Sequence, residues 1–95
     1  MPAYVIVEIE TEDAALMAQY RDIARPIIEA QDGRYLARGG RTVTLEGGWS
    51  PERLVVLEFP TVEQAEAWWR SADYAEAKAL RQRAGRTRMV VVEGM

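Results

Sequence analysis

Tyr74 and Arg81 stand seven residues apart, on a segment that also carries Trp68 and Trp69. On a helix that spacing is about two turns, so a phenol and a guanidinium share one face beside an aromatic wall. Such a face suits a small organic acid, because arginine grips a carboxylate through two parallel donors and also stacks on rings. Tyr20 falls on the apolar stripe of an earlier helical segment. Its hydroxyl is a candidate donor or acid in the same cleft. Arg38 is a further candidate for holding the ligand's charge. Glu46 and Glu58 are the acid–base candidates. Glu58, like Glu8 and Glu93, interrupts an apolar strand pattern. A carboxylate on a buried face needs a partner or a raised pKa. Each residue also has a plainer role. Tyr20 can be a core tyrosine, Arg81 can close an ion pair with a strand carboxylate, and the three glutamates can pair with Arg38, Arg53 and Arg88.

What the chain lacks narrows the chemistry. It has no Cys and no His among 95 residues, and no Asn. Disulfides, thiolate nucleophiles, the usual general base and the usual zinc and haem ligands are therefore excluded. A Ser–His–Asp triad cannot be built. No cofactor or metal is expected. The formal net charge of −3 argues against nonspecific binding to nucleic acid or an acidic membrane surface. The apolar runs "LVVL" and "MVVV" are too short to span a bilayer. The chain enters a strand-like pattern without a basic-then-apolar leader, which predicts a cytoplasmic location.

The elements that must position these groups follow from periodicity. "AYVIVEIE" alternates as a strand. "TEDAALMAQYRDIARPIIEAQDG" reads as a helix, with Thr11 as N-cap, Leu16, Tyr20, Ile23 and Ile27 as its buried stripe, Pro26 as a kink or stop, and Gly33 as its end. "RYLARGGRTVTLEGGWSPERLVVLEF" reads as two strands. Gly39–Gly40 would bend a long second strand, and Gly47–Gly48 would turn it into the third. Neither glycine pair matches a phosphate or dinucleotide loop. Thr61 and Gln64 form a capping box for the next helix. There Val62, Ala65 and Trp69 trace one face, with Trp68 beside it. A break is expected over Ser71–Asp73, with Asp73 and Glu76 as a second capping box. Tyr74, Ala77, Leu80, Arg81 and Ala84 form the next stripe. "RQRAGRTR" reads as a solvated helix end, and "RTRMVVVE" as the last strand. The third strand, "RLVVLEFP", lacks the aromatic pattern of RNA-recognition domains of this topology.

The order βαββαβ over residues 1–95 gives a single α+β domain, a ferredoxin-like sandwich with a four-stranded antiparallel sheet and β1 and β3 central. Both faces of those central strands are largely apolar, and helices can cover only one. A second copy of the chain is expected on the other, giving a homodimer through the sheet face.

Several stretches together resemble a bacterial family of small domains of unknown function, number thirteen-thirty, within the dimeric α/β-barrel superfamily. They are "AYVIVEIE", Tyr20, "RYLARGG", "LEGGW", "ERLVVLEFP", "AEAWWRSADYAEAKALR" and "VVVEG", and they span nearly the whole chain. The resemblance implies a homodimer whose sheets pack face to face into a barrel, with a small cleft in each subunit. Relatives in that superfamily include cofactor-free monooxygenases, muconolactone-type isomerases and haem peroxidases. The last need an axial histidine that is missing here. Two classes of function stay open: a binder of a small organic or aromatic acid acting as a cofactor-independent enzyme, and a structural or regulatory homodimer without catalysis.

Overall fold

The computed structural model describes every residue, Met1–Met95. The elements are β1 (Ala3–Thr11), α1 (Ala14–Ala30), β2 (Arg34–Arg38), β3 (Arg53–Phe59), α2 (Val62–Arg70), α3 (Ala72–Ala84) and β4 (Gly85–Glu93). The strands form one sheet in the order β2-β3-β1-β4, antiparallel throughout. The fold is a ferredoxin-like α+β sandwich with β1 and β3 central. Three helices lie on one face.

The helix ends show which local signals won. α1 is capped by Asp13, whose side chain accepts the Leu16 N–H at 3.0 Å. Thr11, the expected cap, is still in β1, and its N–H donates to Glu52 Oε2 at 2.7 Å. α1 also runs unbroken through Pro26, which sits on its exposed side. Buried Ala24 and Ile28 on either side of the proline hold the helix to the sheet. Packing thus outweighs one missing backbone bond. Thr61 caps α2 as expected. The second helical region does break, but its cap is Ser71 and not Asp73. The Ser71 hydroxyl accepts the Tyr74 N–H and donates to the Trp68 carbonyl, so one side chain ends α2 and starts α3.

Gly33 follows α1 and donates its N–H to the Ile28 carbonyl at 2.9 Å. Its role is close approach. A Cβ there would stand 2.7 Å from Ile28 Cγ2 and from the Phe59 ring. Gly33→Ala is expected to cost roughly 1–3 kcal/mol through overpacking, as urea unfolding will read.

The β2 region departs most from the expected pattern. The strand has five residues and stops at Arg38. The irregularity in its pairing lies between Tyr35 and Ala37, not at the glycines. Gly39 makes one last bond to the Leu54 carbonyl and then turns away with φ 71. A left-handed residue leaves the ladder, which is why the long bent strand does not form. Residues 39–50 are exposed, and Gly47 and Gly48 also have positive φ. This segment returns to the sheet at Trp49, whose indole N–H donates to Glu8 at 2.9 Å.

The core lies between the sheet and the helices. Val5, Val7, Ile9, Val55, Leu57 and Phe59 meet Met17, Tyr20, Ala24, Ile28, Trp68 and Tyr74. Two members of the expected stripes differ. Ile23 is exposed, and Met17, Ala24 and Ile28 take the buried positions with Tyr20. Trp69 is also exposed, with the Lys78 ammonium 3.8 Å above its ring, while Trp68 is buried.

The opposite face carries no helix, and the molecule is a slab of 35 × 34 × 17 Å. Its central cross-strand row is Val56–Ile6–Val90, flanked by Glu58–Tyr4–Val92 and Leu54–Glu8–Arg88. The charged members pair on this face. Glu58 meets Arg34 at 2.6 Å, and Glu8 meets Arg88 at 2.5 Å. The Trp49 N–H first, then Arg88, hold the Glu8 carboxyl below its ordinary range. Arg88 is thus a partner as expected, but Arg38 and Arg53 form no ion pair.

Candidate functional site

The largest cleft near the predicted residues is built by three elements. α2 contributes Trp68, α3 contributes Arg81, and β4 contributes Thr87, Met89 and Val91. With Val5 of β1 they line an open cleft of about 380 Å³. That is the size of a site for a small organic molecule. The positions follow from periodicity. Trp68 and Arg81 lie on buried helix faces, while Thr87, Met89 and Val91 alternate toward the helices along β4.

Arg81 is only 3% exposed and has no carboxylate within ion-pair distance. Its Nε donates to the Tyr74 hydroxyl at 3.3 Å. The Tyr74 hydroxyl in turn shares a hydrogen bond of 2.8 Å with the Tyr20 hydroxyl. Burial, then the neighbouring Tyr74, push the Tyr20 phenol well above its ordinary value. Tyr20 therefore keeps its proton and serves as a hydrogen-bonding group, not as a base. Trp68 and Thr87, which also line the cleft, each keep one buried polar atom without a partner, Trp68 Nε1 and Thr87 Oγ1. Buried polar groups in folded proteins are almost always satisfied. Trp68 Nε1 and Thr87 Oγ1 are the two side-chain exceptions in this chain.

A second cavity of about 30 Å³ lies between α1 and the β2 side of the sheet. Tyr20, Tyr35, Arg21, Arg38 and Arg53 border it, and Trp68 and Met89 separate it from the larger cleft by lining both.

The predicted residues therefore divide. Trp68 and Arg81 line the large cleft, and Tyr74 and Tyr20 stand behind Arg81 and hold it. Arg38 lies at the small cavity, stacked 4.8 Å from the centre of the Tyr35 ring. Glu46 is in the exposed segment after β2, and Glu58 is on the helix-free face with Arg34. Neither lines the large cleft or the small cavity. The one carboxylate lining the large cleft is Glu66, which pairs with Arg70 at 3.3 Å. Glu66 and Thr87 escape sequence reasoning because both sit in patterns that read as ordinary helix and strand surface. Of "RQRAGRTR", Arg83, Arg86 and Arg88 are exposed as expected, but Arg81 is not. No group of three or more His, Cys, Asp or Glu is placed to hold a metal, and no helix is long and apolar enough to cross a membrane.

Fold and cleft together define a small ferredoxin-like α+β domain with a cleft between α2, α3 and β4. The chain belongs to the family described as domain of unknown function (DUF1330), whose model matches residues 2–95. Among solved structures it is similar to a protein of unknown function from Rhodopseudomonas palustris, at 19% identity over 99% of this chain and 82% of that one, with TM-score 0.79. It is also similar to a dimeric ferredoxin-like protein of unknown function from Jannaschia sp. CCS1, at 16% identity over 99% and 100% of the two chains, with TM-score 0.68. A third is SnoaB, a cofactor-independent oxygenase from Streptomyces nogalater, at 7% identity over 99% and 93%, with TM-score 0.68. No curated protein matches in sequence.

Proposed function

We propose that this protein is a homodimer that binds a small organic or aromatic acid, as its anion, in the cleft between α2, α3 and β4. The observation that carries this is the buried Arg81 guanidinium without a carboxylate. An uncompensated charge is expensive to bury, so its retention beside unused donors points to a ligand. Arg81 takes the ligand's carboxylate or enolate oxygen. Trp68 Nε1–H and the Thr87 hydroxyl supply further donors. Val5, Met89 and Val91 receive the ring or chain. Tyr74 and Tyr20 fix the Nε edge of Arg81.

The same arrangement suits a cofactor-independent oxygenase or isomerase. Both chemistries pass through a negatively charged oxygen, and donors fixed in a dry site stabilise such charge. Glu66 is the carboxylate nearest this chemistry. Glu46 and Glu58, the candidates from sequence, lie outside the cavity. The dimeric ferredoxin-like neighbours and the helix-free apolar face support association of two sheets into a barrel.

Titration calorimetry with benzoate tests the ligand. Saturable binding with a dissociation constant of roughly 1 mM or tighter is expected. Light scattering at micromolar concentration is expected to give twice the chain mass. A dimer that shows no response to any of a panel of aromatic acids would leave the non-catalytic structural or regulatory reading standing.

A further inference from the structure

We propose a second anion site at the β2 edge, formed by Arg21, Arg38 and Arg53, that takes one small oxyanion group such as phosphate. The three residues come from α1, the end of β2 and the start of β3, and all border the 30 Å³ cavity. The protein's four ion pairs use Arg25, Arg34, Arg70 and Arg88, so none of these three guanidinium groups has a carboxylate partner. Burial first, then Arg21 and Arg38, depress the Arg53 pKa, and no carboxylate acts in the other direction. Three like charges therefore converge without a counter-ion.

Packing holds at least two of them in place. Arg38 stacks on Tyr35. Arg53 lies back over Gly39, where a Cβ would overlap its guanidinium. Gly39 also has φ 71, so a glycine is favoured there twice over. Guanidinium groups fixed by packing need little reordering when an anion arrives, and they bind phosphate bidentately. The cavity has room for only one or two waters, which selects a single head group at its mouth over a whole organic molecule. The site is separate from the Arg81 cleft and does not depend on that reading.

The test is thermal unfolding in inorganic phosphate against chloride of equal ionic strength, on the parent chain and on Arg53→Gln, Arg21→Gln and Arg81→Met. Phosphate at tenfold its dissociation constant is expected to raise the melting temperature by roughly 5–10 °C. The shift is expected to survive Arg81→Met and to vanish in both Arg53→Gln and Arg21→Gln. Without phosphate, the two Gln variants are expected to melt no lower than the parent, since each removes a repelled charge. The proposal is overturned if phosphate does no more than chloride, or if its effect survives in Arg53→Gln and Arg21→Gln.

Discussion

Arg81→Met is expected to weaken binding of a small aromatic acid by about a hundredfold or more, and to leave the ligand-free protein at least as stable as the parent. The two halves have one cause. Arg81 is buried with a single side-chain hydrogen bond, from Nε to Tyr74. Losing that bond costs about 0.5–1.5 kcal/mol. Desolvating an unpaired charge costs several kcal/mol, which the flexible, uncharged methionine avoids while filling similar space. Tyr74 keeps its bond to Tyr20. Binding responds in the opposite direction. Truncating one partner of a desolvated, hydrogen-bonded charge pair typically costs about 2–5 kcal/mol, and each 1.4 kcal/mol is about tenfold. Calorimetry and urea unfolding on the same preparation read both. A variant that binds benzoate normally but unfolds several kcal/mol more easily would show Arg81 to be structural.

If two copies pair through their sheets as proposed, Ile6→Asp is expected to leave a monomer at micromolar concentration. Ile6 is the middle of the apolar row Val56–Ile6–Val90 on the helix-free face. Val90 is 63% exposed and Val92 52% in the single chain, so the face stays open at the β4 side. A two-fold interface repeats every substitution, so two uncompensated carboxylates are buried per dimer. At about 3 kcal/mol each, dissociation rises by roughly four orders of magnitude. Ile23→Asp, on the exposed side of α1, is the control and is expected to remain dimeric. If Ile6→Asp scatters as a dimer, the interface lies elsewhere on the molecule.

Where local and long-range forces pointed the same way, the residues could be read directly. Thr61 carries both the side chain and the spacing of a cap, and it is one. Where they competed, the tertiary term won. Pro26 is a strong local breaker, but the burial of Ala24 and Ile28 carries the helix through it. Trp68 and Trp69 are indistinguishable by composition. Only the angle at which α2 meets the sheet decides that Trp68 enters the core, stacked 5.3 Å from Phe59. At Gly39 the alternating residues Thr42 to Leu45 continue a strand pattern, but a left-handed backbone has already left the ladder. Strand patterning says nothing about whether a neighbour is present to pair with.

Read alone, the residues carry the α+β class, the element order, the central pair of strands, and the exclusion of histidine and cysteine chemistry. Those rest on periodicity and composition, which are local. Tyr20, Trp68, Tyr74 and Arg81 stand out there as breaks in the helix stripes, and the structure buries all four. Long-range packing settles that Arg81 finds no carboxylate and that Glu58 turns outward to Arg34. It also brought Thr87 to the same cavity as Trp68 and placed Arg38 with Arg21 and Arg53 at another. The reason is geometric. Whether a charge is paired depends on which residues from distant segments share a few ångströms, and that is set by sheet register and helix docking.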